Sequence, residues 1–546
     1  MGVPGFFRYI VKKYKSNYIK DAKPRVVNRL FFDFNGLLHP MCFKVLDTAR
    51  PDETIDSLED RMITEGILPY LVKLIETAQP QDLVYIAIDG VAPMAKCNQQ
   101  RSRRWKSSID AAETKAIAAK WDEPATKPDW TNAAISPGTK FMEKITQAVT
   151  QFCKSKEVTW KQQFGFSLIF DTAKTPGEGE HKIVKYIRNG ENQQGTTSVI
   201  YGLDADLIFL SMGLEMKGIH LMRESSEFDK RKTTIPFKYV DIDIFKKSVT
   251  KSLDITIWDF IIVCTLIGND FIPPIPSINV YDDGLDVLFS LYTNIYESLG
   301  ERLTAGKCLN PVFMQRLFYG LGRLEHQFFV EYRTSNAHRK HKKPPNISGM
   351  KLELWQRENL IGPYKPRDEY CLGLDTSDEY KSRWYHGNNA DQIESQCYKY
   401  IEGIQWTLQY YYDSTTDWAW TYPYTHAPFA SDLANIQYTQ RVVSFPRRRT
   451  QPLKSSWQLL LIMPPVYNWL IPKAYRERGD EVALYPTGPI HIDYSMKNLQ
   501  WQGKPVLPPI PESYYDKMTQ IDKAIPPRDM MIERCNNKPR PAIVLF

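Results

Sequence analysis

The sequence predicts an α/β protein whose first half forms a twisted, mainly parallel sheet with flanking helices. Two observations carry this expectation. To about residue 290 the chain alternates short apolar runs with amphipathic stretches, which is how strand and helix units succeed one another in such sheets. Several of those apolar runs also end in acid, and in open α/β sheets ligands gather outside the carboxyl ends of the strands. A third observation sets the scale: 546 residues exceed one ordinary core, so two or three domains are expected.

In order along the chain, "RLFFDFNG" delivers Asp33 and "LVYIAIDG" delivers Asp89. "SLIFDTAKTPGEGEH" leads to Glu178 and Glu180, "SVIYGLDADLIFL" carries Asp204 and Asp206, and "LIGNDF" carries Asp270. Residues 1–295 are read as one domain that gathers these acids. From 296 to 395 the pattern turns polar, with the breakers "KKPPN" and "HGNN", and a helical and loop connector is expected. A second ordered block, 396–520, is very rich in aromatics and is expected to be α/β. Residues 521–546 form a polar tail.

The sequence holds no run of 18 or more apolar residues, so no membrane partner is expected. A soluble intracellular protein is the reading, cytoplasmic with the nucleus as the alternative. Eight scattered cysteines show no CxxC pair and no zinc-like spacing with histidine, which speaks against a disulfide framework or structural zinc. The net charge of +7 says little alone, but cations concentrate in "RSRRWK" (101–106), "HRKHKK" (338–343) and "PRRR" (446–449). Basic runs interleaved with tyrosine and tryptophan suit single-stranded nucleic acid; each run also has the simpler reading of a solvated loop.

Seven carboxylates, Asp33, Asp89, Glu178, Glu180, Asp204, Asp206 and Asp270, are candidate ligands for hard divalent ions, which take oxygen donors. An extended backbone puts Asp204 and Asp206 on one face, and glycine lets "PGEGEH" bend so that Glu178 and Glu180 both face inward. Taken singly, an acid at a strand end is more often a turn former or helix cap. Taken together, seven converging carboxylates require cations to offset their repulsion. Two metals about 3.5–4 Å apart would serve an in-line phosphodiester displacement.

"DGVAPMAKCNQQRSRRW" (89–105) suits a turn into a helix. At about 100° per residue, Gln100, Arg103 and Arg104 fall at roughly +40°, −20° and +80° from Lys96 and share a face, whereas Arg101 falls at roughly 140° and points elsewhere. Such a face beside a metal site would bind a terminal phosphate.

With those residues in view, "MGVPGFFRYI", "DFNGLLH", "DGVAPMAKCNQQRSRR", "SPGTKFM", "PGEGEHKI", "YGLDADLIFL", "GNDFIP", "EGIQWTLQYYY", "WAWTYPYTHAPFASD" and "WQGKPVLP" resemble, in order, the blocks of the XRN family of 5′→3′ exoribonucleases. The resemblance implies a core like that of the flap nucleases. It implies that the seven acids hold two Mg²⁺ ions, with Mn²⁺ as the alternative, and that Lys96, Gln100, Arg103 and Arg104 bind a 5′ monophosphate. It also implies that His39 and a tryptophan of "DWAWTYPY", taken here as Trp420 over Trp418, sandwich the first base of single-stranded RNA. Two departures stand out: Met94 where the family has Arg, and the lack of the long extension of larger members. The implied activity is processive degradation of 5′-monophosphorylated RNA to mononucleotides. The alternatives are a 5′ flap or DNA nuclease and a catalytically idle RNA-binding protein.

Overall fold

The computed structural model describes residues 6–14, 17–123, 127–190, 195–225, 235–278, 283–337, 344–359, 379–385, 388–413, 417–439, 450–482, 484–497, 500–529 and 538–546. The basic runs at 338–343 and 446–449 lie outside the described residues. Among the described residues no helix is long and apolar enough to cross a membrane, and the six described cysteines are free.

The centre is an eight-stranded sheet: β1 (Ile19–Lys20), β2 (Arg29–Asp33), β3 (Leu83–Ala87), β4 (Ser167–Asp171), β5 (Ser198–Tyr201), β6 (Ile219–Glu224), β7 (Phe237–Asp241) and β8 (Ile543–Val544). Their order is β1-β7-β6-β5-β2-β3-β4-β8. The pairs β2–β3, β3–β4, β2–β5 and β5–β6 are parallel; β6–β7, β1–β7 and β4–β8 are antiparallel. The expected α/β class and mainly parallel sheet are therefore what the chain builds. From β2 the chain winds outward through β3 and β4, then returns to place β5 and β6 on the other side, so the winding reverses between β2 and β5. That reversal leaves a crevice at the carboxyl ends of the strands.

The strands read as continuous apolar runs because both faces are covered, as parallel sheets require. Alternate residues feed opposite cores: Phe31, Tyr85 and Ile200 enter one, Leu30, Phe32, Val84 and Ile86 the other. The first core also takes Phe313, Leu317 and Leu321 of the helix Pro311–Ala337 and Tyr400, Ile404 and Trp406 of the helix Ala390–Tyr412. It thus runs continuously through residues on either side of positions 295 and 395. A third core, with Leu459, Leu460, Met518 and Ile521, includes Met94 and Cys97. Met94 is 2 % exposed and packs in that third core.

The block 396–520 differs from the expected α/β layout. Its described residues are mainly helical, with one ribbon of two-residue strands, Ile492–Asp493 against Lys504–Pro505. Aromatic richness favours strands only weakly. The stretch "YKYIEGIQWTLQYYY" lies in the helix Ala390–Tyr412 and is buried on almost every side from Tyr400 to Tyr411, with only Glu402 and Gln409 partly exposed; a helix enclosed all round shows no apolar period. The terminal segment is docked as β8, tied by Leu168 N to the Phe546 carbonyl at 2.7 Å and Leu545 N to the Leu168 carbonyl at 2.9 Å.

Candidate active site

Asp33 closes β2, Asp89 lies two residues beyond β3, and Asp204 and Asp206 sit at the start of the helix Ala205–Met212 just after β5. Glu178 holds the cap position and Glu180 is the second residue of the helix Gly179–Asn189. The chains approach closely here. A Cβ on Gly179 would stand 2.9 Å from the Ala87 carbonyl and 3.0 Å from Asp33 Oδ1, and one on Gly202 would stand 3.2 Å from Asp33 Cβ. Glycine at these positions lets the β2, β3 and β5 ends close on one another.

The crevice brings all seven acids together. Oxygens of Asp33, Glu180 and Asp204 lie within 4.8 Å of one another, and so do ligand atoms of Glu178, Glu180 and His181. Burial first, then Asp89 and Asp204, pushes the Asp33 carboxyl well up. Burial, then Glu178, raises Asp89 to about 6. Burial, then Asp206 and Glu178, raises Glu180, and burial, then Asp270, raises Asp206 to about 7. Like charges confined in low dielectric resist ionising together. Glu180 is 5 % exposed, and its Oε2 has no hydrogen-bond partner among the described residues. A buried carboxylate oxygen without a donor is costly. Such a donor set, all hard oxygens plus one imidazole, fits divalent cations.

Other residues orient these acids. Asn35 Nδ2 donates to Asp89 Oδ2 at 2.9 Å and Gly179 N donates to Asp89 Oδ1 at 2.7 Å. Tyr410 donates to Glu178 at 2.6 Å and Tyr411 to Asp206 at 2.9 Å, both from the helix Ala390–Tyr412. Gln99 donates to Asp270 at 3.1 Å. Sequence reasoning missed these partners, although "EGEH" put His181 beside the acids in plain view. Asp171, at the end of β4, takes a different path. It accepts from Tyr85 at 2.7 Å and pairs with buried Lys182 at 3.2 Å, whose ammonium also holds the Ile88 and Thr172 carbonyls.

The stretch 89–105 forms the start of the helix Met94–Lys120. Lys96, Gln100 and Arg104 follow one another by a turn, and they meet different neighbours. Lys96, expected in the phosphate face, instead pairs with Glu178 at 2.5 Å and Asp270 at 2.7 Å, because crowded buried carboxylates draw the nearest ammonium. Gln100 Oε1 accepts from Gln458 at 3.2 Å. Arg104 donates to Ser136 Oγ at 2.6 Å, and its buried Nε has no partner among the described residues. Exposed Arg103 lies near enough to Asp270 and Asp204 to feel their charge. Burial, then Arg103 and Arg104, lowers His39 to about 4, with Asp204 acting in the opposite direction, so His39 lies within electrostatic reach of both arginines and of one acid. Arg101 points away as the angle count expects: it is 1 % exposed and donates to the Pro508 and Leu484 carbonyls at 2.7 and 2.5 Å. Lys106 pairs with Asp110 at 2.6 Å, so "RSRRWK" is not one basic patch.

Trp420 does not present an open face. It is 6 % exposed and stacks on Trp406 with ring centroids 5.0 Å apart; Trp406 stacks on Tyr410 at 4.9 Å, and Tyr410 lies 3.8 Å from the His181 ring. A ring so enclosed packs a core, and the choice of Trp420 for a base sandwich is corrected on that ground. Trp418 is half-buried and its carbonyl accepts from Met94 N at 2.8 Å, which sets it at the start of the basic helix.

A parallel α/β sheet with an acidic crevice at its switch point defines the class. The family follows from sequence comparison: residues 1–225 match the model described as "XRN 5'-3' exonuclease N-terminus", and residues 250–361 and 366–531 match "Xrn1 helical domain". The chain belongs to the XRN 5′-3′ exonuclease family. It is similar to "5'-3' exoribonuclease 1" of Homo sapiens, 28 % identical over 581 residues, covering 94 % of this chain and 34 % of the human protein. It is also similar to "5'-3' exoribonuclease 2 homolog" of Drosophila melanogaster, 26 % identical over 664 residues, covering 95 % of this chain and 72 % of that one. The chain thus spans about a third of the human relative's length. A solved structure of the catalytic core of Rad2 with DNA substrate covers 65 % of this chain and 79 % of that one, with 13 % identity and a TM-score of 0.28; so slight an overlap bears no weight.

Proposed function

We propose that this chain is a metal-dependent 5′→3′ exoribonuclease that degrades 5′-monophosphorylated, single-stranded RNA processively to mononucleotides. One observation carries the reading: Arg103 lies within electrostatic reach of Asp204 and Asp270, and His39 within reach of Arg103, Arg104 and Asp204. A strand whose 5′ end is gripped there presents its first phosphodiester to the acids. Two divalent ions, Mg²⁺ or Mn²⁺, held among Asp33, Asp89, Glu178, Glu180, Asp204, Asp206 and Asp270 supply an activated water and charge stabilisation when bound.

The chain's own groups do the rest. Arg104, its Nε buried and without a partner among the described residues, and Arg103 bind the terminal phosphate by forked hydrogen bonds, while Gln100 supplies an amide one turn earlier. His39, held neutral above about pH 4 by burial and the two arginines, offers a flat face to the first base. Tyr410, Tyr411, Asn35 and Gln99 hold the acids in place. A hydroxyl end would leave the guanidinium groups unpaired, and a cap or triphosphate exceeds a pocket built for one phosphate.

The test is digestion of matched RNA and DNA oligonucleotides carrying 5′ hydroxyl, monophosphate or triphosphate, with Mg²⁺ and with chelator. Rapid release of mononucleotides from monophosphate RNA alone is expected. Equal rates on DNA would establish a 5′ DNA nuclease instead, and RNA binding without turnover an idle binding protein.

A further inference from the structure

We propose that His181 is a metal ligand, with Glu178 and Glu180, so that the crevice offers two unlike cation positions bridged by Glu180: one of carboxylates alone and one that includes an imidazole. The proposal rests on the reading of the crevice as a metal-dependent nuclease site and goes beyond it by assigning a nitrogen donor that the acidic set does not contain.

The geometry starts in the sequence. Glu178 is the cap of the helix Gly179–Asn189 and His181 its third residue, and a cap and its third residue face each other across the first turn. Glu180 lies between them. The ligand atoms of Glu178, Glu180 and His181 stand within 4.8 Å of one another, and Glu180 equally belongs to the group of Asp33 and Asp204. Two unused atoms mark the place. Glu180, 5 % exposed, leaves Oε2 without a hydrogen-bond partner, and His181 Nε2 is likewise buried without one among the described residues. Buried polar atoms ordinarily find partners, so two orphans beside one carboxylate pair indicate a partner from outside the chain. The place also draws positive charge, since the Lys96 ammonium lies 2.5 Å from Glu178. Finally, the His181 ring packs against Tyr410 at a tilt of 30°, with centroids 3.8 Å apart, and Tyr410 also donates to Glu178. One tyrosine therefore positions two of the three donors.

An imidazole changes which ions suit the position. Imidazole favours later first-row metals, whereas Mg²⁺ prefers oxygen, so the position with His181 discriminates between Mn²⁺ and Mg²⁺ more than its neighbour does.

The test is pulsed electron paramagnetic resonance of the full chain loaded with Mn²⁺, reading nuclear modulation from histidine nitrogen, with ¹⁵N-histidine protein to identify the source. His181→Phe keeps a ring for Tyr410 to pack against and removes both nitrogens. The wild type is expected to show histidine coupling that His181→Phe lacks. That variant is expected to lose about tenfold or more in Mn²⁺ affinity at one of two positions, the scale of disturbing even a ligand's supporting partner, with a smaller loss for Mg²⁺. Bound Mn²⁺ without histidine coupling in the wild type would overturn the proposal while leaving the nuclease reading intact, and this needs no variant to fold. Coupling that persists in His181→Phe would overturn it equally. Failure of the wild type to bind Mn²⁺ at all would overturn both readings.

Discussion

Two buried carboxylates, Asp259 in the helix Ile257–Thr265 and Glu180 in the helix Gly179–Asn189, show two uses of the same chemical group. Asp259 is fully buried and accepts from Tyr292 OH at 2.5 Å, Leu303 N at 3.2 Å, Thr304 N at 2.8 Å and Thr304 Oγ1 at 2.5 Å. Glu180 is nearly as buried, yet it keeps an oxygen with no donor among the described residues and sits among like charges. A saturated carboxylate ties a loop to a helix. An unsaturated one, held by close backbone packing at Gly179, costs stability that a bound cation would recover. The difference separates residues that hold the fold from residues that the fold holds for chemistry.

The largest effect that would break this contrast is expected at Asp206. Asp206→Asn should reduce RNA cleavage roughly a thousandfold or more, as the loss of one member of a catalytic unit does, while thermal stability stays level or rises because a repelling charge is gone. Asp259→Ala should do the reverse. Two backbone N–H groups and two hydroxyls lose their acceptor, at a cost of about 3 kcal/mol or more, while the rate per folded molecule is kept. Melting curves paired with single-turnover rates check both, and an Asp206→Asn protein that cleaves normally would remove Asp206 from the site.

Next in size is the pair of arginines three residues apart on one helix. Arg104→Ala should slow digestion of monophosphate RNA by roughly 30-fold to several thousandfold, the range for truncating one partner of a buried charge pair, and leave the poor rate on hydroxyl RNA almost unchanged. Arg101→Ala should lower stability through the lost Leu484 and Pro508 carbonyl bonds and keep the preference for monophosphate ends. Initial rates on both substrates are to be measured in one buffer, since phosphate contacts depend on salt. Equal loss on both substrates for Arg104→Ala would make the face a general backbone clamp.

These contrasts also show what sequence can convey. The acids at the ends of β2, β3 and β5 were legible because an apolar run and the residue that ends it are adjacent in the chain. Arg101 was legible as the odd one out because helical angles are local. Tyr410 and Tyr411 were not: they reach Glu178 and Asp206 across more than 200 residues, and no local period encodes that contact. The ion pairs of Lys96 with Glu178 and Asp270 were not legible for a similar reason: its helical face spans both the acids and Ser136, and only the packing says which neighbour each side chain meets. The helices of the second block were less legible, since the stretch from Tyr400 to Tyr411 is buried on almost every side and leaves no polar face to mark a helical period.

Acidity sharpens the comparison with a smaller, graded effect. Asp89 and Asp206 have folded-state values of about 6 and 7, above those of an unfolded chain, near 4. Between about pH 4 and 7 the folded state therefore binds more protons, and stability falls as pH rises through that window. Metal-free protein should melt at a higher temperature at pH 5 than at pH 8 as far as these groups decide it, and Mg²⁺ should raise the melting temperature more at pH 8, where the carboxylates are ionised. Melting in chelator and in Mg²⁺ at both values checks this; an Mg²⁺ effect equal at both would count against the carboxylates as its cause.

The smallest effect on cleavage concerns the tryptophans of "DWAWTYPY". Trp420 lies in the stack Trp420–Trp406–Tyr410, and replacing a core tryptophan by alanine costs about 3–5 kcal/mol, so Trp420→Ala should chiefly destabilise the fold. Trp418 is half-buried beside the start of the basic helix. If its ring completes the base sandwich with His39, Trp418→Ala should lose about 1–3 kcal/mol of grip on each base, leave the melting temperature almost unchanged, and leave selection of monophosphate ends intact because that lies with Arg103 and Arg104. The readout is the length of uninterrupted digestion on a long RNA chased with excess competitor. Shorter runs with normal end selection would place Trp418 on the substrate's path. Full-length runs would return it to packing, and the grip that keeps RNA in place between cuts would then have to come from elsewhere along the crevice.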